Sequence, residues 1–234
     1  SYYSEGWSWN RTAAFFGTAS YSYTGRYIVN GTLRYEGSNR LGKTRQSRWM
    51  PTWNVSGAWN AHEESWFQNP VLSYAKLRVS YSLTAESAPA GVSNAQAIYS
   101  SYKPWRPQTE ASELAIGLDA LANSELTFEK KHEIDVGVDL GFWNNRINVV
   151  CDWYKRNNFD LIGLCYTQGV GGVTQKYANV ASMKSHGVEF TVSTRNIETP
   201  KFSWTTDLTF AYAKNKITDL VSLSRIIDLV QGTG

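Results

Sequence analysis

The stretch Glu133–Tyr154, EIDVGVDLGFWNNRINVVCDWY, decides how this chain folds. Its first limb alternates without a break. Glu133, Asp135 and Asp139 fall on one side, and Ile134, Val136, Val138 and Leu140 on the other. Such alternation marks a strand with one wet and one dry face. The limb then reaches Phe142 and Trp143, turns through Asn144-Asn145, and a second limb climbs away. Large aromatics stand where a soluble hairpin would place small polar residues. The dry face meets either a soluble core or a lipid bilayer.

The same period of two recurs along the chain and predicts eight strands. The first covers about Thr12 to Tyr23 and the second about Arg26 to Glu36, joined by a tight Thr24-Gly25 turn. The third lies near Trp49 to Asn60 and the fourth near Tyr74 to Thr84. The quoted hairpin supplies the fifth and sixth, within about Thr127 to Asn157. The seventh is near Ser182 to Thr194 and the eighth runs from Phe202 to about Ile217. Residues 111–122, ASELAIGLDALA, read as a short helix inside a loop. One strand face carries Ala75, Leu77, Val79, Tyr81 and Leu83, then Val188, Phe190 and Val192, then Trp204, Leu208, Phe210 and Tyr212. The other carries Lys76, Arg78, Ser80 and Ser82, then Glu189, Thr191 and Ser193, then Thr205, Asp207 and Thr209.

The connections differ by parity. Thr24-Gly25, Asn144-Asn145 and NIETPK are short, and the link through Pro70 is moderate. Between them come GSNRLGKTRQSR, the long stretch from Ala85 to Leu126, and a run holding TQGVGGVTQ. In an up-and-down meander, alternate connections share an end, so one end is trimmed and the other elaborated. Outer-membrane barrels have this asymmetry. Aromatics gather at both strand ends. Tyr21, Tyr23, Tyr27, Trp59, Tyr74, Phe142, Trp143, Phe202 and Trp204 lie near the trimmed end. Phe15, Tyr35, Trp49, Trp53, Tyr81, Phe128, Trp153 and Tyr212 lie near the other. Trp and Tyr rings sit well at a bilayer interface. Trp49, Trp53, Phe142, Trp143, Trp153 and Trp204 are the expected membrane-girdle residues, and Tyr154 is expected beside Trp153 in the outer row. Cys151 is expected to face the bilayer.

A soluble β-sandwich also alternates, with its apolar face inward. A secreted sandwich that binds carbohydrate is the alternative reading. Loop parity and the doubled aromatic rows favour the barrel. The expected fold is therefore all-β: an antiparallel up-and-down transmembrane β-barrel, of which this chain supplies about eight strands.

Composition narrows the rest. Charged residues make up 18% of the chain, below the usual quarter of a soluble domain. Twenty-three basic residues against 20 acidic ones leave a net charge of +3, too even for a nucleic-acid binder. No apolar run approaches a membrane helix, which excludes helical spans and leaves barrels open. Cys151, Cys165, His62, His132 and His186 complete no metal-type spacing. Cys151 sits mid-strand and Cys165 beyond the next bend, so a disulfide is disfavoured. The chain begins at Ser1 in mid-pattern and stops at VQGTG, which reads as a piece of something longer.

Several segments then resemble one family. GTLRYEGSNRLGK, WMPTWNVSGAWNAHEESWF, YAKLRVSYSLTAES, LTFEKKHEIDVGVDLGFWNNRINVVCDWYKRNNFDLI and NVASMKSHGVEFTVSTRNIETPKFSWTTDLTFAYAKNKIT stand in colinear order. Together they are similar to the C-terminal barrel half of the SusC/RagA family of TonB-dependent outer-membrane transporters, nearer its RagA-like branch. The resemblance implies a parent barrel of about 22 strands around an N-terminal plug. Residues 1–234 would be part of that one barrel domain, with the plug and the TonB-contacting segment outside the chain. It implies import of oligopeptides or oligosaccharides, energised by TonB and capped by a SusD/RagB-like lipoprotein. It also implies contact with outer-membrane lipid.

No catalytic constellation emerges, and neither enzymatic activity nor a cofactor is expected. Glu133, Asp135 and Asp139 are better read as wall residues that balance Lys76 and Arg78 across the sheet. GVGG at 169–172 lacks the Lys and helix of a phosphate loop. Arg40, Lys43, Arg45 and Arg48 form a basic loop that suits lipid headgroups, substrate or plain solvent. The ring-rich run holding Tyr102, Trp105 and Arg106 is the candidate ligand site, since such side chains stack on sugars or clasp peptides.

Overall fold

The computed structural model describes residues 10–88, 92, 97–103, 114–167 and 175–221. Ten strands follow in chain order: β1 (Thr12–Tyr23), β2 (Tyr27–Ser38), β3 (Trp49–Asn60), β4 (Leu72–Glu86), β5 (Ile98–Tyr102), β6 (Ala115–Ala120), β7 (Glu129–Phe142), β8 (Ile147–Tyr166), β9 (Gln175–Thr199) and β10 (Phe202–Leu220). Eight of them form one antiparallel sheet in the order β1-β2-β3-β4-β7-β8-β9-β10. It is a meander in which each strand pairs with its sequence neighbour, save that β7 follows β4. The remaining two, β5 and β6, pair in a separate hairpin within the long β4–β7 connection.

The expected short helix over 111–122 is therefore corrected. Ala115–Ala120 is strand β6, and residues 111–113 lie outside the described residues. The stretch satisfies both periods, because Leu114, Ile116 and Leu118 also alternate. Pairing with β5, with Ser100 Oγ donating to Asp119 Oδ1 at 2.8 Å, selects the strand.

Two tight turns at the trimmed end need left-handed backbone. Thr24 and Gly25 take φ of 52° and 72°, and the Arg26 amide donates to the Tyr23 carbonyl at 3.0 Å. After β7, three consecutive residues turn left-handed: Trp143 at 48°, Asn144 at 55° and Asn145 at 60°. Asn tolerates this region well and a bulky ring poorly. Trp143 is thus part of the turn itself rather than the end of the strand.

At the other end β8 and β9 run on well past their neighbours. Where a loop of roughly two dozen residues is expected, β8 reaches Tyr166 and β9 begins at Gln175. A bulge at Asp160, with φ of 59°, hid the continuation by breaking the alternation. The bulge is fastened from three sides. Lys130 Nζ donates to Asp160 Oδ2 at 2.6 Å, Asn179 Nδ2 to the Asp160 carbonyl at 2.6 Å, and the Ile162 amide to Glu129 Oε1 at 2.7 Å. Asn179 also exchanges two bonds with the Thr127 backbone, each 3.0 Å.

The buried apolar cluster lies under these outer connections, not between two sheets. Leu41, Met50, Ala88, Val92, Leu126 and Phe128 form it, with Leu41 and Leu126 fully buried. Phe128 accordingly leaves the expected outer aromatic row and packs in this loop core. The amides of Gly42 and Lys43 donate to the Leu126 and Ser124 carbonyls, at 2.8 and 3.0 Å, and close the β2–β3 loop onto it. A sandwich would place its core between facing sheets. Among the described residues no second sheet packs on the eight-stranded one.

Candidate functional site

The large sheet has two chemically opposite faces. On the apolar face Val55, Val79, Leu208 and Phe210 remain exposed, at 52, 42, 62 and 59%. A soluble protein covers an apolar area that extended. On the polar face side chains interlock across strands. Arg78 on β4 grips Asp139 on β7, with Nε at 3.0–3.1 Å from both carboxylate oxygens and Nη2 at 2.6 Å from Oδ1. The same Nη2 reaches Asp152 on β8 at 2.9 Å. One guanidinium therefore ties three strands. Gly137 lies beneath it, and a Cβ there would meet both the Asp152 carboxylate and the Arg78 guanidinium.

A second knot sits further out. Arg156 Nε donates to Glu133 Oε1 at 2.6 Å, and Lys131 pairs with Glu133 Oε2 at 2.5 Å. The Arg156 guanidinium stacks 4.1 Å above the Tyr154 ring. Tyr154 in turn lies flat over Gly187, where any Cβ would strike the phenol and come within 2.6 Å of the Tyr212 carbonyl. Tyr154 is 8% exposed, so it belongs to the polar face and not to the outer girdle. Between β2, β3, β4, β7 and β8 the polar face encloses a hollow of about 370 Å³, lined by Asn30, Ser56, Lys76, Arg78, Asp135 and Asp152.

The carboxylates expected on the wet face are there, and Asp139 does balance Arg78. Sequence reading missed Lys131, Asp152 and Arg156. In CDWYKRN both faces carry polar or aromatic residues, so period two gives no contrast. Tyr74 also moves, since it pairs opposite Gly141 on the polar face and its ring meets His62 at 4.3 Å.

The aromatic residues form two rows on the apolar face. In the lower row Trp59 Nε1 and Tyr27 Oη both donate to Glu64 Oε1 in the β3–β4 turn, at 3.2 and 2.7 Å, with Arg26 at 3.4 Å from Oε2. The hydrogen bond from Tyr27, then that from Trp59, hold the Glu64 carboxyl below its ordinary value. Phe142 ends β7, with Trp143 exposed beside it at a ring distance of 6.1 Å. Trp204 lies exposed near the start of β10. In the upper row Trp49 stacks on Tyr35 at 5.0 Å, Trp53 meets Tyr81 edge-on at 5.1 Å, and Trp153 stands exposed on β8. Cys151 shares this face with Trp153, and both cysteines are free thiols.

The register gives these rows a slope. Following paired residues, Trp59 on β3 is level with Leu77, Val138, Cys151, Phe190 and finally Phe210 on β10. The lower aromatic on β10 is instead Trp204. The row has dropped by about six residues, roughly 20 Å, over five strand steps of about 4.8 Å each. That corresponds to strands tilted by about 40° from the normal to the row, within the range of transmembrane barrels. The upper row falls in the same sense. Trp53 is level with Leu83, His132 and Asn157, whereas the β8 aromatic is Trp153, four residues lower.

Tyr102, of the candidate ligand residues, ends β5 with its ring 52% exposed. Trp105 and Arg106 lie outside the described residues. The structure gives the three no shared geometry.

A single tilted meander, apolar on one side and salt-bridged on the other, is the wall of a transmembrane β-barrel. The sequence matches the family described as TonB dependent receptor-like, beta-barrel, over residues 3–228, and the chain belongs to that family. The TonB-dependent receptor SusC of Bacteroides thetaiotaomicron is 28% identical over 226 residues, covering 90% of this chain and 21% of SusC. The TonB-dependent receptor P3 of Formosa agariphila is 27% identical over 207 residues, covering 88% of this chain and 20% of P3. The structure of the RagAB peptide importer in its closed-closed state superposes with a TM-score of 0.79 at 24% identity, over 89% of this chain and 22% of that one. The siderophore receptor PirA from Pseudomonas aeruginosa gives 0.56 at 11% identity, over 89% and 37%. The chain thus spans about a fifth of the length of SusC and P3. It is β-barrel wall of the TonB-dependent receptor family, which places it in a bacterial outer membrane.

Proposed function

We propose that the protein containing this wall imports large nutrients, oligopeptides or oligosaccharides, through a plugged barrel of about 22 strands. TonB energises the import and a SusD/RagB-like lipoprotein covers the outer mouth. The observation that carries this reading is the polar face. Arg78 and Arg156 cross-link adjacent strands there into a continuous hydrophilic lining. The family match supports the TonB-coupled class. The likeness to a structure described as a peptide importer supports oligopeptides as the first substrate class to test.

In this reading the elaborated end faces outward and the tight turns face the periplasm. Trp49, Trp53 and Trp153 mark the outer girdle, and Phe142, Trp143 and Trp204 the periplasmic one. Tyr102 offers an exposed ring to substrate or lid, with Trp105 and Arg106 following it in sequence. The test is native purification of the full-length protein with its partners, followed by mass spectrometry of the bound material. Peptides co-eluting with a barrel–lipoprotein complex support the proposal. Glycans in their place redirect the substrate. A protein recovered without any lipoprotein or cargo, and whose deletion leaves growth on both nutrient classes intact, contradicts it.

A further inference from the structure

The apolar face carries a cluster of basic residues on β8, β9 and β10. Lys155 on β8 is directly opposite His186 on β9, and His186 is directly opposite Lys214 on β10. One step further out, Lys184 on β9 is directly opposite Lys216 on β10 and Asn157 on β8. All five basic residues are exposed. Among the described residues Lys155 and Lys184, on strands flanked on both sides, pair with no acid, although Lys130 nearby pairs with Asp160 at 2.6 Å. Of these pairs Lys184–Lys216 sets like charges directly opposite each other, which destabilises a sheet unless a counter-charge intervenes.

Their face is fixed by the neighbours. Tyr154 and Arg156 pack against the polar face, so Lys155 between them points the other way, as strand geometry requires. Their height is fixed by the aromatic rows. On β10 the apolar band runs from Trp204 to Tyr212, about 26 Å along the strand and roughly 20 Å in height at the tilt derived above. Lys214 and Lys216 follow immediately outward of Tyr212, and Lys155 immediately outward of Trp153. These basic residues therefore stand at the level where the outer-leaflet headgroups begin. Long lysine stems lie along the hydrocarbon boundary and lift their ammonium groups into that layer.

We infer that Lys155, Lys184, His186, Lys214 and Lys216 form a docking surface for a phosphate-bearing glycolipid of the outer leaflet. This rests on the proposed orientation, with the long loops outward. A zwitterionic headgroup leaves Lys155 and Lys184 uncompensated, whereas clustered phosphates bridge the lysines across the strands. The surface fits a lipid that stays with the barrel rather than a nutrient that passes through it, because it lies on the side opposite Arg78 and Glu133.

The test uses the full-length protein purified from outer membranes, in wild-type form, as the triple variant Lys155→Gln/Lys214→Gln/Lys216→Gln, and as Lys201→Gln in the β9–β10 turn as a control. Lipid retained after detergent exchange is quantified by mass spectrometry. Each lysine near an anionic surface contributes about fivefold in binding, so the triple variant should retain phosphorylated glycolipid on the order of a hundredfold more weakly. Lys201→Gln should match wild type. Thermal stability in bilayer discs should rise for wild type when purified lipopolysaccharide is added. It should not rise with its dephosphorylated form, with zwitterionic phospholipid or with inorganic phosphate. Equal retention by the triple variant overturns the inference. So does equal stabilisation by dephosphorylated lipid, or a second protein chain in place of lipid. If the triple variant fails to fold, Lys155→Gln and Lys214→Gln are measured singly against the fivefold expectation. Surface labelling of the 39–48 loop on intact cells reports the orientation separately. Unlabelled loops sink the orientation, while labelled loops with no lipid effect sink only the docking surface.

Discussion

Replacing Arg78 by alanine removes four N–H···O contacts at once, three to Asp139 and one to Asp152. It also leaves two carboxylates facing each other across β7 and β8. The side chains are 38, 21 and 34% exposed, so the network is neither a surface pair nor a buried one. Surface pairs contribute about 0–1 kcal/mol, and breaking a buried pair costs about 3–5 kcal/mol. The intermediate exposure puts Arg78→Ala at roughly 2 kcal/mol, after discounting for solvent screening. The assay is a double-mutant cycle on the full-length protein: Arg78→Ala, Asp139→Ala and the pair, read as unfolding midpoints in detergent. A coupling on the order of 1–2 kcal/mol is expected. Arg78→Lys should recover less than half of it, because a single ammonium cannot reproduce the guanidinium fork. Additivity within about 0.5 kcal/mol would refute the reasoning, since Arg78 would then be a solvated side chain and not a strand tie.

Other consequences follow from the two faces. Gly187→Val should cost about 1–3 kcal/mol by displacing Tyr154 and crowding the Tyr212 carbonyl, and pairing it with Tyr154→Ala should relieve only the part due to the ring in the same unfolding assay. Leu140→Arg, aimed into lipid between the Phe142 row and the midplane, should cost about 1–3 kcal/mol, and assembly in the outer membrane should fall accordingly. Glu64 gives a pH dependence. Its folded carboxyl titrates below its ordinary value, so the stability it contributes is present above the unfolded value of about 4.3. That stability is lost as the pH falls through the depressed folded value. Wild type should be more stable than Glu64→Gln at pH 7, and the two should converge in acid; a difference that grows as the pH falls would contradict the clasp.

Most of the sheet was legible because the solvent on each side is uniform. Thr12–Tyr23 and Trp49–Asn60 can be bounded from alternation alone, because every second residue answers to the same medium. Reading fails where the two faces stop differing. Around Asp152–Asn158 polar residues stand on both sides, some in the salt-bridge lining and some among the outward cations. The Asp160 bulge shifts the phase and conceals the outer half of β8. Phe128 and Tyr74 are aromatic residues near strand ends, so sequence alone assigns them to the girdles. Their actual surroundings, a loop core and the polar face, depend on contacts with Leu41, far away in sequence, and with His62 across the β3–β4 turn. Ion pairs such as Arg78–Asp152 join distant strands, and their register emerges only when the sheet is assembled.

The central claim is that adjacent residues of β7 meet different solvents. Single cysteines placed in turn from residue 133 to 140 of the full-length protein, in a background lacking Cys151 and Cys165, and spin-labelled in bilayers, test it directly. Accessibility to oxygen should peak at 134, 136, 138 and 140, and accessibility to a polar relaxation agent at 133, 135 and 139, with Gly137 left unlabelled because a side chain there displaces Arg78. A profile with no period of two, or with its phase reversed, would contradict the account.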